Sequence, residues 1–143
     1  MPYEFVEDIA TADIAFSAWG KDLEETFIAA SDATMNVMVE NLDSIQPIER
    51  REFELRNEAL DMLLFDLLQE LIYYKDSEKL MLRIHRVQIK KEGGQYVLKA
   101  IALREKLDPN CHATRADVKA VTLHRFQLVK TDRGWKTEII LDI

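Results

Sequence analysis

The chain has 143 residues, of which 48% are hydrophobic, only 4 glycines and 3 prolines, and a formal net charge of −7. That length fits one domain over residues 1–143, able to bury roughly 68–70% of the surface its unfolded form exposes, and the composition excludes a disordered or collagen-like chain. No apolar run reaches the ~18 residues of a membrane span, and an acidic total argues against passive binding of nucleic acid by phosphate neutralisation.

The opening MPYEFVED has neither a basic region nor a long apolar segment, so no secretory signal is expected there. Residues 3–8 and 13–19 read as short strands. Asp22 is placed as a helix N-cap, with Glu25 three residues later completing a capping box. Leu23, Phe27, Ala30, Thr34, Val37 and Met38 share one helical face, which predicts an amphipathic helix over 22–39. The loop Asn41 to Pro47 ends it. Residues 50–56 alternate as a strand.

Asn57 is the expected cap of a second helix. Leu60, Leu63, Leu64, Leu67, Leu68, Leu71 and Ile72 form a broad apolar stripe, with acids and Gln69 on the other side. Leu82 and Ile84 then alternate with Arg83 and His85, and the phase shifts to Val87 and Ile89, which predicts a bulge near Arg86. Gly93-Gly94 marks a hairpin turn into a strand over 95–104. Residues 105–116 read as a loop. Val118 to Leu128 alternate as one long strand, Thr131 to Gly134 make a turn, and Trp135, Thr137, Ile139, Leu141 and Ile143 form the inner face of the last strand.

Two amphipathic helices need an apolar surface, and half-apolar strands supply it. The expected fold is α+β, a two-layer sandwich of two helices on a mixed, largely antiparallel sheet. Residues 1–78 carry 19 acids and 5 bases, while residues 79–143 carry 7 acids and 14 bases. Interleaving of the two halves in the fold is expected to mix these charges. The single cysteine, Cys111, leaves no internal disulfide and suits a reduced, cytosolic setting.

No P-loop, GxSxG or HExxH pattern is present. His85, His112 and His124 lack zinc-ligand spacing. Cys111 and His112 are adjacent, and neighbours in a strand point to opposite faces, which disfavours a nucleophile–base pair. His124 sits on the apolar parity of its strand and reads as a hydrogen-bonded core histidine. Three features remain. Asp13, in Thr11-Ala12-Asp13-Ile14, starts a strand and is a common turn or cap residue. Leu141-Asp142-Ile143 closes the sequence. A strand reaching Ile143 brings its carboxylate beside Asp142, and converging hard oxygens call for a cation such as Ca²⁺ or Mg²⁺. Fraying of that tail in solvent is the other reading. Lys119 lies on the strand face opposite Val118 and Ala120, where a lysine protects an edge or points a cation at an anionic partner.

Pro2-Tyr3-Glu4-Phe5, Thr11-Ala12-Asp13-Ile14, Ala18-Trp19-Gly20, Leu23-Glu24-Glu25 and Phe27 open an ordered set of matches. It continues through Asp108, His112, Val118-Lys119-Ala120-Val121-Thr122, His124, Gly134-Trp135 and Asp142-Ile143. Together these residues resemble the archease family over nearly the whole chain. The resemblance implies a domain related to the strand-helix-strand-strand fold. It implies a protein cofactor, not an enzyme, that promotes guanylylation and turnover of an RtcB-type tRNA-splicing RNA ligase in the cytoplasm, meeting tRNA only indirectly and no membrane. It places a divalent metal, Ca²⁺ or alternatively Mg²⁺, on Asp13, Asp142 and the carboxylate of Ile143, and functional roles on Lys119 and His112. The chain departs from the family pattern at Ala10, where a histidine is usual, and at Leu123, where a tyrosine is common. Two other readings compete: a chaperone or interaction module for RNA-modifying enzymes such as a tRNA methyltransferase, and a metal-dependent hydrolase. The second has too few acids and no convincing base–nucleophile pair.

Overall fold

The computed structural model describes residues 2–10, 13–108 and 116–143. Strands β1 (Tyr3–Ala10) and β2 (Asp13–Gly20) lead into helix α1 (Leu23–Met38), and a short 3-10 turn over Leu42–Ser44 leads to β3 (Glu49–Asn57). Helix α2 (Leu60–Glu78) precedes the long β4 (Leu80–Glu92) and β5 (Gln95–Lys106). Strands β6 (Ala120–Val121), β7 (Gln127–Thr131) and β8 (Gly134–Asp142) complete the described chain.

The α+β class is as expected, but the strands divide between two sheets. One runs β1-β2-β8-β6, with β7 also on β8, and the other runs β3-β5-β4; every pairing is antiparallel. Each sheet draws strands from both the acidic and the basic half of the sequence, so the charges mix. No described helix is long and apolar enough to cross a membrane.

Helix α1 explains the two sheets. It packs on β2 and β8 of the first, on β4 of the second, and on α2. Its burial therefore runs nearly all round, from Phe27, Ala30 and Met38 to Ala29, Ala33 and Met35, beyond the single face read from the sequence. Small residues let both sheets approach. The hydroxyls of Ser31 and Thr34, buried among them, donate to Phe27 O and Ala30 O inside the helix. Asp22 caps it as expected, accepting from Glu25 N at 2.8 Å. The reciprocal bond is shifted by one residue, since Lys21 N, not Asp22 N, donates to the Glu25 carboxylate at 3.0 Å.

Helix α2 buries the predicted stripe. Leu63, Leu64, Leu67, Leu68 and Leu71 are fully inaccessible, and truncating any one to alanine costs about 2–5 kcal/mol. Its N-cap is Ala59 rather than Asn57; Asn57 instead accepts from Ala59 N at 3.1 Å and donates to Asp66 at 3.0 Å. The ladder between β4 and β5 shifts register between Ile84 and Arg86, where the phase change placed a bulge. Gly93 and Gly94 turn the hairpin at φ of 55° and 84°, the left-handed pair a two-residue hairpin loop requires.

The expected long strand from Val118 to Leu128 is broken. Thr122 N donates to Ile140 O, and Gln127 pairs with Glu138, so residues 123–126 have only Ile139 opposite them. They leave the sheet through a turn in which Arg125 adopts φ of 55°. The excursion carries Phe126 onto Phe65 of α2, edge to face at 5.9 Å. It also corrects the reading of His124, which is exposed in the turn rather than buried in the core.

Between α1 and β4, Arg83 bonds Asp32 at 3.5 Å and Asp43 at 3.0 Å. Burial pushes the Asp32 carboxyl above its ordinary value, and the neighbouring Arg83 only partly offsets this. A raised acid disfavours the ionised form in the folded state. The penalty is absent below the unfolded value of 3.8 and grows as pH rises through the folded one. D32N is therefore expected to raise the urea midpoint at pH 7 and leave it unchanged at pH 3.

Candidate functional site

Strands β2 and β8 pair in unbroken register, which sets Asp13 directly opposite Asp142 and Ile14 opposite Leu141. Phe16 and Ile139 point into the core from the same ladder. Asp13 and Asp142 each lie three residues from them, so strand alternation turns both aspartates to the outer face, away from α1. Both are partly exposed. Ile143 packs against the core on the inner side and secures the end of β8.

The far side of β8 takes up β6, where Ala120 stands opposite Asp142. Lys119 N donates to Asp142 O at 2.8 Å. Its neighbour Val118 is fully buried, while Lys119 itself is exposed. The fold thus gathers Asp13, Lys119, Asp142 and Ile143 at one end of the first sheet. His112 lies outside the described residues, as does Cys111.

Helix α2 holds the Lys119 segment from behind. Gln69, on the side of the helix read as polar, accepts from Val121 N at 3.3 Å. Lys75 is only 5% exposed, and its ammonium meets Asp117, Val118 O at 2.9 Å and Asp76 at 2.5 Å. Burial alone would lower its pKa; the bonds and charges of Asp117 and Asp76 outweigh this and hold it above the ordinary value. The stability the group contributes is thus present below 10.5 and lost only as pH rises through the raised folded value. Sequence reasoning missed Lys75, although the signal was there: it stands three, four and seven residues after Ile72, Leu71 and Leu68, on the apolar stripe.

Among the described residues no group of three or more His, Cys, Asp or Glu side chains is arranged to hold a metal ion. The chemistry of what is present still fits a hard cation. Two carboxylates directly opposite on adjacent strands stand close enough to share one ion, and Ca²⁺ or Mg²⁺ accepts further oxygen from the main chain and water.

A model of the Archease protein family (MTH1598/TM1083) matches residues 3–143. The chain belongs to the archease family. Among similar family members, Protein archease of Methanosarcina mazei is 37% identical over 99% of this chain and 95% of its own length. That of Pyrococcus abyssi is 40% identical over 93% of this chain and 94% of its own. The solution structure of Methanobacterium thermoautotrophicum protein 1598 superposes with a TM-score of 0.85 at 33% identity, covering 99% of both chains. A crystal structure from Thermotoga maritima, described as an archease and possible chaperone, shares the fold at a TM-score of 0.56 and 19% identity, covering 98% of both chains. The family match spans all four residues that the fold gathers at the end of β8.

Proposed function

We propose that this archease-family chain is a cytosolic protein cofactor of an RtcB-type tRNA-splicing RNA ligase, promoting its guanylylation and so its multiple turnover. The observation that carries the reading is the cross-strand register that sets Asp13 against Asp142 with Lys119 bonded to the same residue. Asp13, Asp142 and the carboxylate of Ile143 would hold a divalent metal, Ca²⁺ or Mg²⁺, and the ion would supply positive charge next to phosphate oxygens. The aspartates' own work is to face one another on the outer surface of the sheet. Lys119 presents a second cation there, within reach of the anionic nucleotide at the ligase's active-site mouth. Nucleotidyl transfer asks mainly for positioning and electrostatics, and a docked, pre-arranged polar cluster supplies both without a nucleophile of its own. The family resemblance also gives His112 a functional role, and tRNA is met only through the ligase.

The decisive experiment is multiple-turnover RNA ligation by the cognate ligase with and without this protein. K119A is expected to lose at least ~100-fold of the stimulation, the scale of a lost positioning contact, while binding Ca²⁺ as the parent does. Full stimulation by K119A, or a pull-down that recovers an RNA-modifying enzyme and no ligase, would refute the reading.

A further inference from the structure

We propose that Lys75 is a positioning residue for Lys119: its buried ammonium clamps the Asp117–Val118 segment to α2 and thereby fixes where Lys119 stands beside Asp13 and Asp142. What Lys119 does there rests on the function proposed above; the clamp itself does not.

An ammonium on the apolar stripe of α2 is an expensive choice, since a hydrophobe of similar volume would fill the slot without desolvating a charge. The cost is not incurred to neutralise buried acids. The side chains of Asp117 and Asp76 are 67% and 55% exposed, so water would satisfy both. The three ammonium donors meet three acceptors, and two of these, the Asp117 carboxylate and Val118 O, belong to the residues immediately before Lys119. Gln69, six residues earlier on α2, accepts from Val121 N just beyond it. Between these two anchors, Lys119 N is bonded to Asp142 O on β8. Residues 117–121 are therefore tied to α2 at both ends and to β8 in the middle, with the Lys119 side chain exposed at the centre. Only two regular strand residues, Ala120 and Val121, follow Lys119 before the ladder breaks, so the sheet alone supplies little of this order.

The test uses the full chain with K75M, D117A and D117N, which keeps an acceptor for the ammonium. The amide of Lys119 in K75M is expected to show a lower ¹H–¹⁵N heteronuclear NOE, with Leu141 in β8 unchanged. Ca²⁺ affinity should stay within about twofold, because the ligand residues are untouched, while maximal ligase stimulation at saturating protein falls about tenfold or more. D117N should behave as the parent and D117A should fall between. D117A, which removes only an exposed carboxylate, carries the same readouts should K75M fail to fold. An unchanged Lys119 amide and unchanged stimulation in the folded variants would overturn the clamp, leaving burial of Val118 as sufficient. Should K119A also leave ligation unchanged, the functional reading would fail while the amide measurement still decides the clamp.

Discussion

D13N is expected to lower divalent-metal affinity more than ~100-fold, beyond the ~10–100-fold cost typical of partners that only orient a ligand, and to end ligase stimulation. The same substitution is expected to stabilise the metal-free protein by about 0.2–1 kcal/mol, the scale of a cross-strand pair. Both effects come from one geometry. Asp13 and Asp142 are direct partners across β2 and β8, and like charges placed opposite one another repel. A cation relieves that repulsion; asparagine removes it while keeping the side chain's shape. The flanking Ile14–Leu141 pair is undisturbed. Both aspartates reach solvent, so the apo-state gain should shrink as salt is raised. In the parent, Ca²⁺ at about a hundred times its dissociation constant should add about 2.7 kcal/mol, which chelation removes. The variant should gain less than about 0.4 kcal/mol at the same Ca²⁺ concentration. Titration calorimetry with Ca²⁺, and urea unfolding with Ca²⁺ or EDTA, measure both arms. Retention of parental affinity would remove Asp13 from the site.

G134A is expected to be the most damaging small substitution in the first sheet, costing more than about 4 kcal/mol. Gly134 opens β8 at φ of 139°, a conformation other residues rarely adopt. An added Cβ would stand 2.1 Å from Gly20 O and 2.8 Å from both the Cα and the O of Lys21. All three neighbours are backbone, so no side chain can swing away. The strand end that would have to move runs directly into the Asp22 cap of α1, so displacement there unsettles the helix between the sheets. Gly94 supplies the control. Its φ is 84° but nothing lies within 4 Å of a Cβ there, so G94A should cost only about 1–2 kcal/mol, the left-handed penalty alone. At about 2–4 °C per kcal/mol, the melting points should separate clearly. G134A as stable as G94A would mean that the close approach of β2 and β8 is not held in solution.

Much of the local structure was legible before any coordinates. The leucine stripe of α2, the Asp22 cap, the Gly93-Gly94 turn and the bulge before Arg86 each depend on residues within a few positions of one another. Helical period, cap chemistry and positive φ leave marks at that range. Asp13, Asp142, Ile143 and Lys119 stood out by residue type and strand position, but resemblance to a family pattern was what joined them into one site.

What needed the tertiary structure was every question of partner. A period shows that a residue is apolar, not what covers it. One apolar face was read on α1, yet two sheets bury it almost all round. The alternation from Val118 to Leu128 was read as one strand, yet Phe126 leaves the ladder and meets Phe65 on α2, a partner that no local pattern announces. Lys75 stands on the apolar stripe of α2, but only the fold brings Asp117 and Val118 to its ammonium. The site itself is of this kind. Asp13 and Asp142 lie near opposite ends of the sequence, and only the hydrogen-bond ladder between β2 and β8 makes them neighbours. A slip of one residue would turn one of them inward. Residue types and short-range pattern thus determined the elements and the candidates, while long-range register decided which of those candidates stand together.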